Sequence, residues 1–501
     1  MPASLLLHPL LLAEPYATSV FIVVFAMLLG ASVLFSRTTN RLGVPVVLLF
    51  LFVGMLGGSE GIGGIQFGDY AFAMRIGTIA LILILFDGGL NTSVTAIRNV
   101  LYPASLLATV GVVLTAGILA VFAWLIGLPW PQALLLGAVV SSTDTAAVLA
   151  VLRGSRMSLR PRVGQLLEVE SCINDPMAVI LTTSLIAWFQ TPADANLGRL
   201  LLAVPVQMIS GAAVGVACGY GAKFLLHRAG LITLGLYPVL TLAIALFSFG
   251  TATLLWGSGF LAVFVCGVIV GGGGLPYHSA LARVHDAFAW LSQITLFVML
   301  GLLVYPSRLP GVALVGLGLG LFLALVARPL AVWLCLLPFR KPLSESAYVG
   351  WIGLRGAVPI VLATFPILAG VAESEHIFNL VFFIVVVTSI FPGSTIRWTT
   401  QRLGMGVPEK PVPAAAMEMV SAQTLDGSLT SFYIGESLAV SGAMIQEIEF
   451  PSNSSVVLVV RGKELLPAKG NTRLLPGDHV YVFYREQDRS FIELLFGRPE
   501  E

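Results

Sequence analysis

Charge is what this sequence has least of. Only 11% of its 501 residues are Asp, Glu, Lys or Arg, 57% are hydrophobic, and the mean hydropathy is +0.93. A soluble chain of this length is not built that way; repeated apolar stretches near 20 residues mean a polytopic membrane protein. Cysteine is nearly absent. Cys172, Cys218, Cys266 and Cys335 lie in apolar stretches without metal-ligand spacing, so they read as packing residues. The first 15 residues hold no Lys or Arg, which disfavours a cleaved signal peptide and leaves 1–16 as a short tail or a surface-lying segment. A basic footprint is also missing. Net charge is +1, and residues 417–501 carry 12 Asp+Glu against 7 Lys+Arg, which argues against nucleic-acid binding.

What is present is a series of thirteen candidate spans: 17–36, 43–58, 69–91, 101–126, 132–152, 162–189, 198–227, 232–250, 254–272, 286–305, 311–337, 345–370 and 376–398. The second is short and Gly-rich, which allows a tilted span or one merged with a neighbour. Basic residues gather in the loops after odd-numbered spans (Arg37, Arg41; Arg98; Arg153, Arg156, Arg160, Arg162; Lys223, Arg228; Arg283; Arg340, Lys341; Arg397, Arg402), and the other loops hold only Arg199 and Arg308. By the positive-inside rule the N-terminus is outside and the C-terminus cytoplasmic. A Pro- and Ala-rich linker follows at 401–416, and residues 417–501 change character. TSFYI, SVVLVV and HVYVFY are β-branched and aromatic runs, the last two separated by turn-rich RGKELLPAKGNTRLLPGD. The expected fold is an all-α membrane domain over 17–400 followed by a small cytoplasmic α+β domain.

Residues 162–189 organise the chain. This span places Glu168, Glu170, Asn174 and Asp175 near its middle, and a membrane-buried carboxylate costs about 2.5–3.5 kcal/mol on insertion scales, so it marks an ion or proton pathway. Ser171 and Asp175, four apart, share a helix face with Asn174 beside them and Glu170 rotated away. Asp175 is therefore the first candidate to hold a cation or a proton; the bland alternative is a carboxylate that only cross-links helices.

Two other spans are weakened at the centre. In GAVVSSTDTAAVLAV, Asp144 stands among Ser141, Ser142, Thr143 and Thr145, and consecutive hydroxyls can satisfy backbone groups where a membrane helix unwinds. In GWIGLRGAVPIVLA, Arg355 stands among Gly353, Gly356 and Pro359. Asp144 and Arg355 are 211 positions apart, which makes spans 4–6 and 11–13 two inverted three-helix repeats with interruptions at matching places, the sequence pointer to a transporter site. If the broken helices cross, Asp144 offsets the positive half-helix ends and Arg355 the negative ones. Arg328, inside span 11, needs an acid partner, Glu170 or Glu168, unless it snorkels to the membrane edge. Asp87 in LILFDGGLNTS either lines an entrance or is a plain helix-terminal acid. Cys218-Gly219-Tyr220-Gly221 contains the GYG of a potassium filter, but it sits inside a continuous span and reads as small residues for close helix packing.

SSTDTAAVLAVL, LEVESCINDPMAVILT, LFDGGL and GLRGAVPIVLA, in that order, resemble the monovalent cation:proton antiporter-1 family, most closely its bacterial potassium/proton subgroup. The tail YIGESLAV…VVLVVRGKELLPAKGNTRLLPGDHVYVF resembles the C-terminal subdomain of regulators of potassium conductance. The resemblance implies a homodimer with core spans 101–189 and 311–398 moving against dimerisation spans at about 17–91 and 198–305. It implies that Asp175 carries cation and proton in turn, with Asn174, Ser171, Thr143 and Asp144 around the ion. Glu170 and Arg328 become a supporting ion pair, and Ser142 and Arg355 belong to the helix crossing. An Asn-Asp pair implies electroneutral exchange. The expectation is a K⁺/H⁺ antiporter of the inner membrane, not an enzyme and without a cofactor, with Na⁺/H⁺ exchange as the alternative. Cys172 and Ile173 depart from the usual motif. A ligand-gated potassium channel, or an intramembrane hydrolase using Asp144 and Asp175, lacks a filter or a role for Arg355. The tail domain is expected either to gate in response to a small ligand or to stabilise passively.

Overall fold

The computed structural model describes residues 19, 22–34, 45–155, 157–190, 197–231, 233, 235–272, 278–408, 427–436 and 438–497. The expected tail 1–16 and residues 409–416 of the expected linker 401–416 lie outside these residues, as do Arg37, Arg41 and Arg156. Two compact units are present: one is made largely of residues up to 407, the other largely of 408–501.

The first unit is helical. Its long apolar elements are α1 (Ile22–Leu34), α2 (Val46–Gly57), α3 (Tyr70–Asn91), α4 (Val94–Leu106) and α5 (Val112–Leu125). Then come α6 (Trp130–Val139), α7 (Thr145–Gly154), α8 (Pro161–Gln190), α9 (Leu197–Arg228), α10 (Leu236–Leu254), α11 (Gly259–Gly271) and α12 (His278–Leu302). The last are α13 (Leu309–Phe322), α14 (Arg328–Leu336), α15 (Leu343–Trp351), α16 (Ala357–Leu368) and α17 (Ser374–Arg402). Each predicted stretch holds a helix or a pair of shorter ones, and among the described residues eight helices are long and apolar enough to cross a membrane. Starts are set by local chemistry: Asp69 accepts from the Phe72 N–H at 2.9 Å, Ser93 from Ala96 at 3.1 Å, and Pro129 and Pro131 flank the start of α6.

Three differences from the sequence expectation have physical causes. The second span is a helix of its own, separated from α3 by a loop. The tenth begins at His278, not 286, because charged Arg283 and Asp286 mask a helical first turn from hydropathy; Asp286 thereby lies inside a helix. Both long spans of the two expected repeats are interrupted by a π-turn, at Leu107–Gly111 and Leu323–Ala327, which no composition signal announces. The two halves carry their irregularities in the same order: π-turn, broken helix (non-helical at 140–144 and at 352–356), then a long helix, α8 or α17.

Small residues set the helix spacing. A Cβ on Gly54 would strike the Val298 carbonyl, one on Gly89 the Phe264 carbonyl and one on Gly215 the Ala262 carbonyl, so α2–α12, α3–α11 and α9–α11 approach to backbone contact, while one on Gly219 would meet the Ile269 side chain. The Gly219 of the GYG run is thus a packing residue. Buried Val100, Leu107, Val148, Leu166, Val332 and Tyr348, from α4, the first π-turn, α7, α8, α14 and α15, form one apolar cluster that clamps the broken helices.

A short two-stranded pair, β1 (Met157–Leu159) with β2 (Gly406–Pro408), belongs to the first unit up to Val407, and the second unit is a four-stranded antiparallel sheet in the order β3-β6-β4-β5. β3 (Ser428–Tyr433), β4 (Ser455–Arg461) and β6 (Asp478–Tyr484) match the three predicted runs. β5 (Glu464–Pro467) lies in the stretch expected to be turn; Gly462, left-handed at φ 58°, makes a two-residue turn that pairs Arg461 with Glu464. Phe432, Val459, Val480 and Val482 pack with Ile492 and Phe496 of α18 (Arg489–Phe496). Buried Asp478 accepts two bonds of 2.8 Å from Arg461, which raise the guanidinium pKa, and one from the Leu475 N–H.

Candidate ion-exchange site

Residues 140–144 are unwound between α6 and α7, and 352–356 between α15 and α16. The two gaps meet: the Asp144 N–H donates to the Leu354 carbonyl at 2.8 Å. Unwinding orphans the N–H groups that begin α7 and the carbonyls that end α6. Asp144 accepts from the Ala147 N–H at 3.1 Å. Arg355 Nη1 donates to the carbonyls of Ser141 at 3.0 Å and Ser142 at 2.5 Å. Each charge therefore sits on the half-helix end of opposite sign. Gly356 lets the chains touch, since a Cβ there would collide with the Asp144 carboxylate.

Glu170 anchors a second cluster on the neighbouring face of α8. Its carboxylate accepts from Arg328 Nη2 at 3.1 Å, Asn174 Nδ2 at 2.8 Å and Thr143 Oγ1 at 3.1 Å, and Asn174 also donates to Thr143 Oγ1 at 2.6 Å. Arg328 and Glu170 are both about 1% exposed. Snorkelling is thereby ruled out in this structure, and Glu170, not Glu168, is the partner. Ser171 donates to the Thr143 carbonyl at 2.8 Å and accepts from the Thr145 N–H at 3.3 Å. The helix face predicted to carry Ser171 and Asp175 is there, but Asn174 turns toward Glu170 at four-residue spacing rather than toward Asp175. Thr143, Asn174 and Ser171 spend their side-chain bonds holding the crossing onto α8.

Asp175 lies on the wall of a cavity of about 910 Å³ that also exposes Ser142, Asp144, Cys172 and Asp87. Asp87 is held by Asn91 Nδ2 at 3.1 Å, and Asp286 of α12 shares the cavity with it. Asn174, Glu170, Arg328 and Arg355 stay behind the wall, in the protein interior. The cavity is thus acid-lined and the basic residues are kept out of it, an arrangement that attracts cations and repels anions. Among the described residues no group of His, Cys, Asp and Glu is arranged as a polydentate metal centre.

The exchanger model of protein families, described as "Sodium/hydrogen exchanger, transmembrane", matches residues 19–402. The chain belongs to the sodium/hydrogen exchanger family. A TrkA-C domain model matches residues 429–496. The K(+)/H(+) antiporter NhaP2 of Shewanella oneidensis is 39% identical over 488 residues, covering 96% of this chain and 84% of that protein. The K(+)/H(+) antiporter NhaP of Alkalimonas amylolytica is 38% identical over 479 residues, covering 94% and 82%. The sodium proton antiporter MjNhaP1 from Methanocaldococcus jannaschii shares the fold, with a TM-score of 0.66 at 23% identity over 77% of this chain and 99% of its own. The exchanger family is one of membrane transporters, and in this member sequence reasoning missed two features of the cavity. Asp286, at the first position of the predicted tenth span, and Cys172, which reads from sequence as a packing residue, both border the cavity.

Proposed function

We propose that this exchanger-family protein is a secondary active K⁺/H⁺ antiporter, working by alternating access with cation and proton competing at Asp175. The observation that carries the reading is the position of Asp175. Asp175 and Glu168 are the two acids of α8 on the cavity wall, and Asp175 shares that wall with the helix crossing, whose end charges are already matched by Asp144 and Arg355. A carboxylate with no structural duty is what an exchange site needs. The same oxygens cannot hold a proton and a cation together, so binding of one releases the other. With Asn174 neutral and engaged elsewhere, one acid exchanges one K⁺ for one H⁺ and the cycle is electroneutral. Relatives at 38–39% identity carrying potassium/proton names favour K⁺; the sodium antiporter of the same fold keeps Na⁺ as the alternative.

The rest of the reading follows from the sequence. Thirteen spans with the arginine-rich loops inside place the N-terminus outside and the C-terminus in the cytoplasm of a bacterial inner membrane. The core spans 101–189 and 311–398 move against dimerisation spans near 17–91 and 198–305 of a homodimer in the lipid bilayer, and the TrkA-C domain responds to a small ligand. Asp175→Asn tests the central assignment: exchange in proteoliposomes disappears while the protein elutes as wild type. Full exchange by the folded variant would remove Asp175 from the mechanism.

A further inference from the structure

The short β1–β2 pair has no part in the ion site, yet both of its strands sit at telling places. β1 lies in the turn between α7, which starts next to Asp144, and α8, which carries Glu170 and Asp175. β2 follows α17 and is where the chain leaves the first unit, which ends at Val407, for the second. The pair therefore joins the turn between the two site helices to the first residues of the tether to the TrkA-C domain. Its anchorage is well built. Gly404, left-handed at φ 65°, ends α17: its N–H bonds the Gln401 carbonyl at 3.1 Å, and the Met405 N–H bonds that of Thr400 at 3.0 Å. Met405 is thereby turned into the apolar cluster that holds Val148, Leu159 and Leu166, and is 4% exposed. Its carbonyl accepts from the Arg160 N–H at 2.9 Å, while the Arg160 carbonyl accepts from Val163 at 2.9 Å and Gly164 at 3.0 Å in the first turn of α8. Arg160 thus bonds the approach to β2 on one side and starts the Asp175 helix on the other.

The strands themselves are the weak part. Each has three residues, and a two-stranded ribbon is marginal by itself in water. Whether they pair is decided by what the chain beyond Pro408 does. We infer that the β1–β2 pair is a coupling joint, closed while the tail domain holds the tether and open when it lets go, so that the tail acts on α7 and α8. The inference rests on the reading of the TrkA-C domain as a ligand-responsive module. Closed, the joint ties the α7–α8 turn of one half to the end of α17 in the other, and the two broken helices move as one body. Open, the turn is released, and the crossing at Asp144 and Leu354 loses that restraint. Gly406 is the residue that lets the joint close. A Cβ there would lie 2.7 Å from Met157 Cε and 3.0 Å from Thr400 Cγ2, and Thr400 is fixed by its 2.7 Å bond to Tyr348.

The experiment uses the full chain with a site-specific protease sequence placed at Ala415, purified whole and then either cut or left intact. Hydrogen–deuterium exchange at the Arg160 amide is the first readout. Cutting is expected to speed it roughly five-fold, as for the loss of one net hydrogen bond, and to leave the amides of α17 unchanged. K⁺-evoked proton flux in proteoliposomes at several pH values is the second, on intact and cut protein, each with and without Gly406→Val, which wedges the strands apart. Cutting should lower the maximal rate about three-fold, the scale set by the same bond. Intact Gly406→Val should match the cut wild type, and in the cut protein the substitution should change flux less than about two-fold, because the joint is already open. A merely structural role would lower flux by the same factor in intact and cut protein. That result, or wild-type flux from intact Gly406→Val, overturns the inference. Altered flux on cutting with unchanged Arg160 protection removes the joint alone; identical flux from cut and intact wild type at every pH removes the regulatory reading of the tail, and the joint with it.

Discussion

Deleting the Glu170 carboxylate should be the most damaging single change in the helical core outside the cavity. Glu170→Ala removes the acceptor for Arg328, Asn174 and Thr143 at once. Arg328 cannot shed its proton and cannot reach water: it is 1% exposed, and its Nε and Nη1 have no other hydrogen-bond partner. An uncompensated buried charge of this kind costs about 3–5 kcal/mol. At roughly 2 °C per kcal/mol for a unit of this size, melting in detergent should fall by on the order of 5–10 °C. The loss belongs to the stranded guanidinium rather than to any large intrinsic strength of the pair, and this can be separated. Glu170→Leu combined with Arg328→Met removes both charges and should recover at least half of the deficit. The assay is fluorescence-detected size exclusion after heating, run on wild type, both single variants and the double. A single variant melting within a degree or so of wild type, or a double variant no better than Glu170→Ala, would refute the reasoning.

Three further outcomes are expected. Gly356→Ala should abolish or strongly reduce exchange, because the added Cβ collides with the Asp144 carboxylate and displaces it from the start of α7; wild-type flux from this variant would mean that the crossing is not needed. Outside the spans, Glu60 accepts from the Ser307 hydroxyl at 2.5 Å and N–H at 2.7 Å, which holds its carboxyl below the ordinary value of 4.5. Its folded value being lowered, the contact stabilises above about pH 4.5 and is lost as pH falls through the lower folded value; wild type and Glu60→Gln should therefore melt differently near neutrality and converge in acid, and a difference that persists in acid contradicts this. Removal of the tail after Pro408 should leave K⁺-evoked exchange in place but change its dependence on pH or on added ligands; identical profiles would make the tail a passive module. The cut belongs after Pro408, not earlier, because Thr400 bonds Tyr348 at 2.7 Å and the Met405 carbonyl accepts from the Arg160 N–H at 2.9 Å.

Much of this was legible in the sequence, for reasons that differ from element to element. Hydropathy locates spans because the bilayer imposes length and apolarity directly, and an acid or arginine inside a span stands out against 57% hydrophobic composition. That contrast is why Asp144, Glu170, Asp175, Arg328 and Arg355 could be named. The helix crossing was legible from Ser141–Thr145 and from Gly353, Gly356 and Pro359, whose local chemistry disfavours a continuous helix. Which neighbour each hydroxyl meets was not. Spacing along α8 puts Ser171 on the face of Asp175, and the family resemblance puts Thr143 near the ion, whereas the bonds their hydroxyls make depend on the depth at which the unwound segment lies against α8. Asp286 escaped because its neighbours His285 and Arg283 lower local hydropathy at the start of α12. The π-turns are set by tertiary packing and leave no compositional trace. In the tail, β5 was hidden by Gly and Lys around it, although a Gly between two short β-prone runs is a hairpin signal.

The most direct test of the account is proton flux in sealed proteoliposomes holding wild type or Asp175→Asn, with K⁺ and then Na⁺ added, and with the membrane potential clamped and then free. The account predicts flux evoked by K⁺, indifferent to the potential and absent from the Asp175→Asn variant. Flux that K⁺ evokes equally in wild type and variant would contradict it.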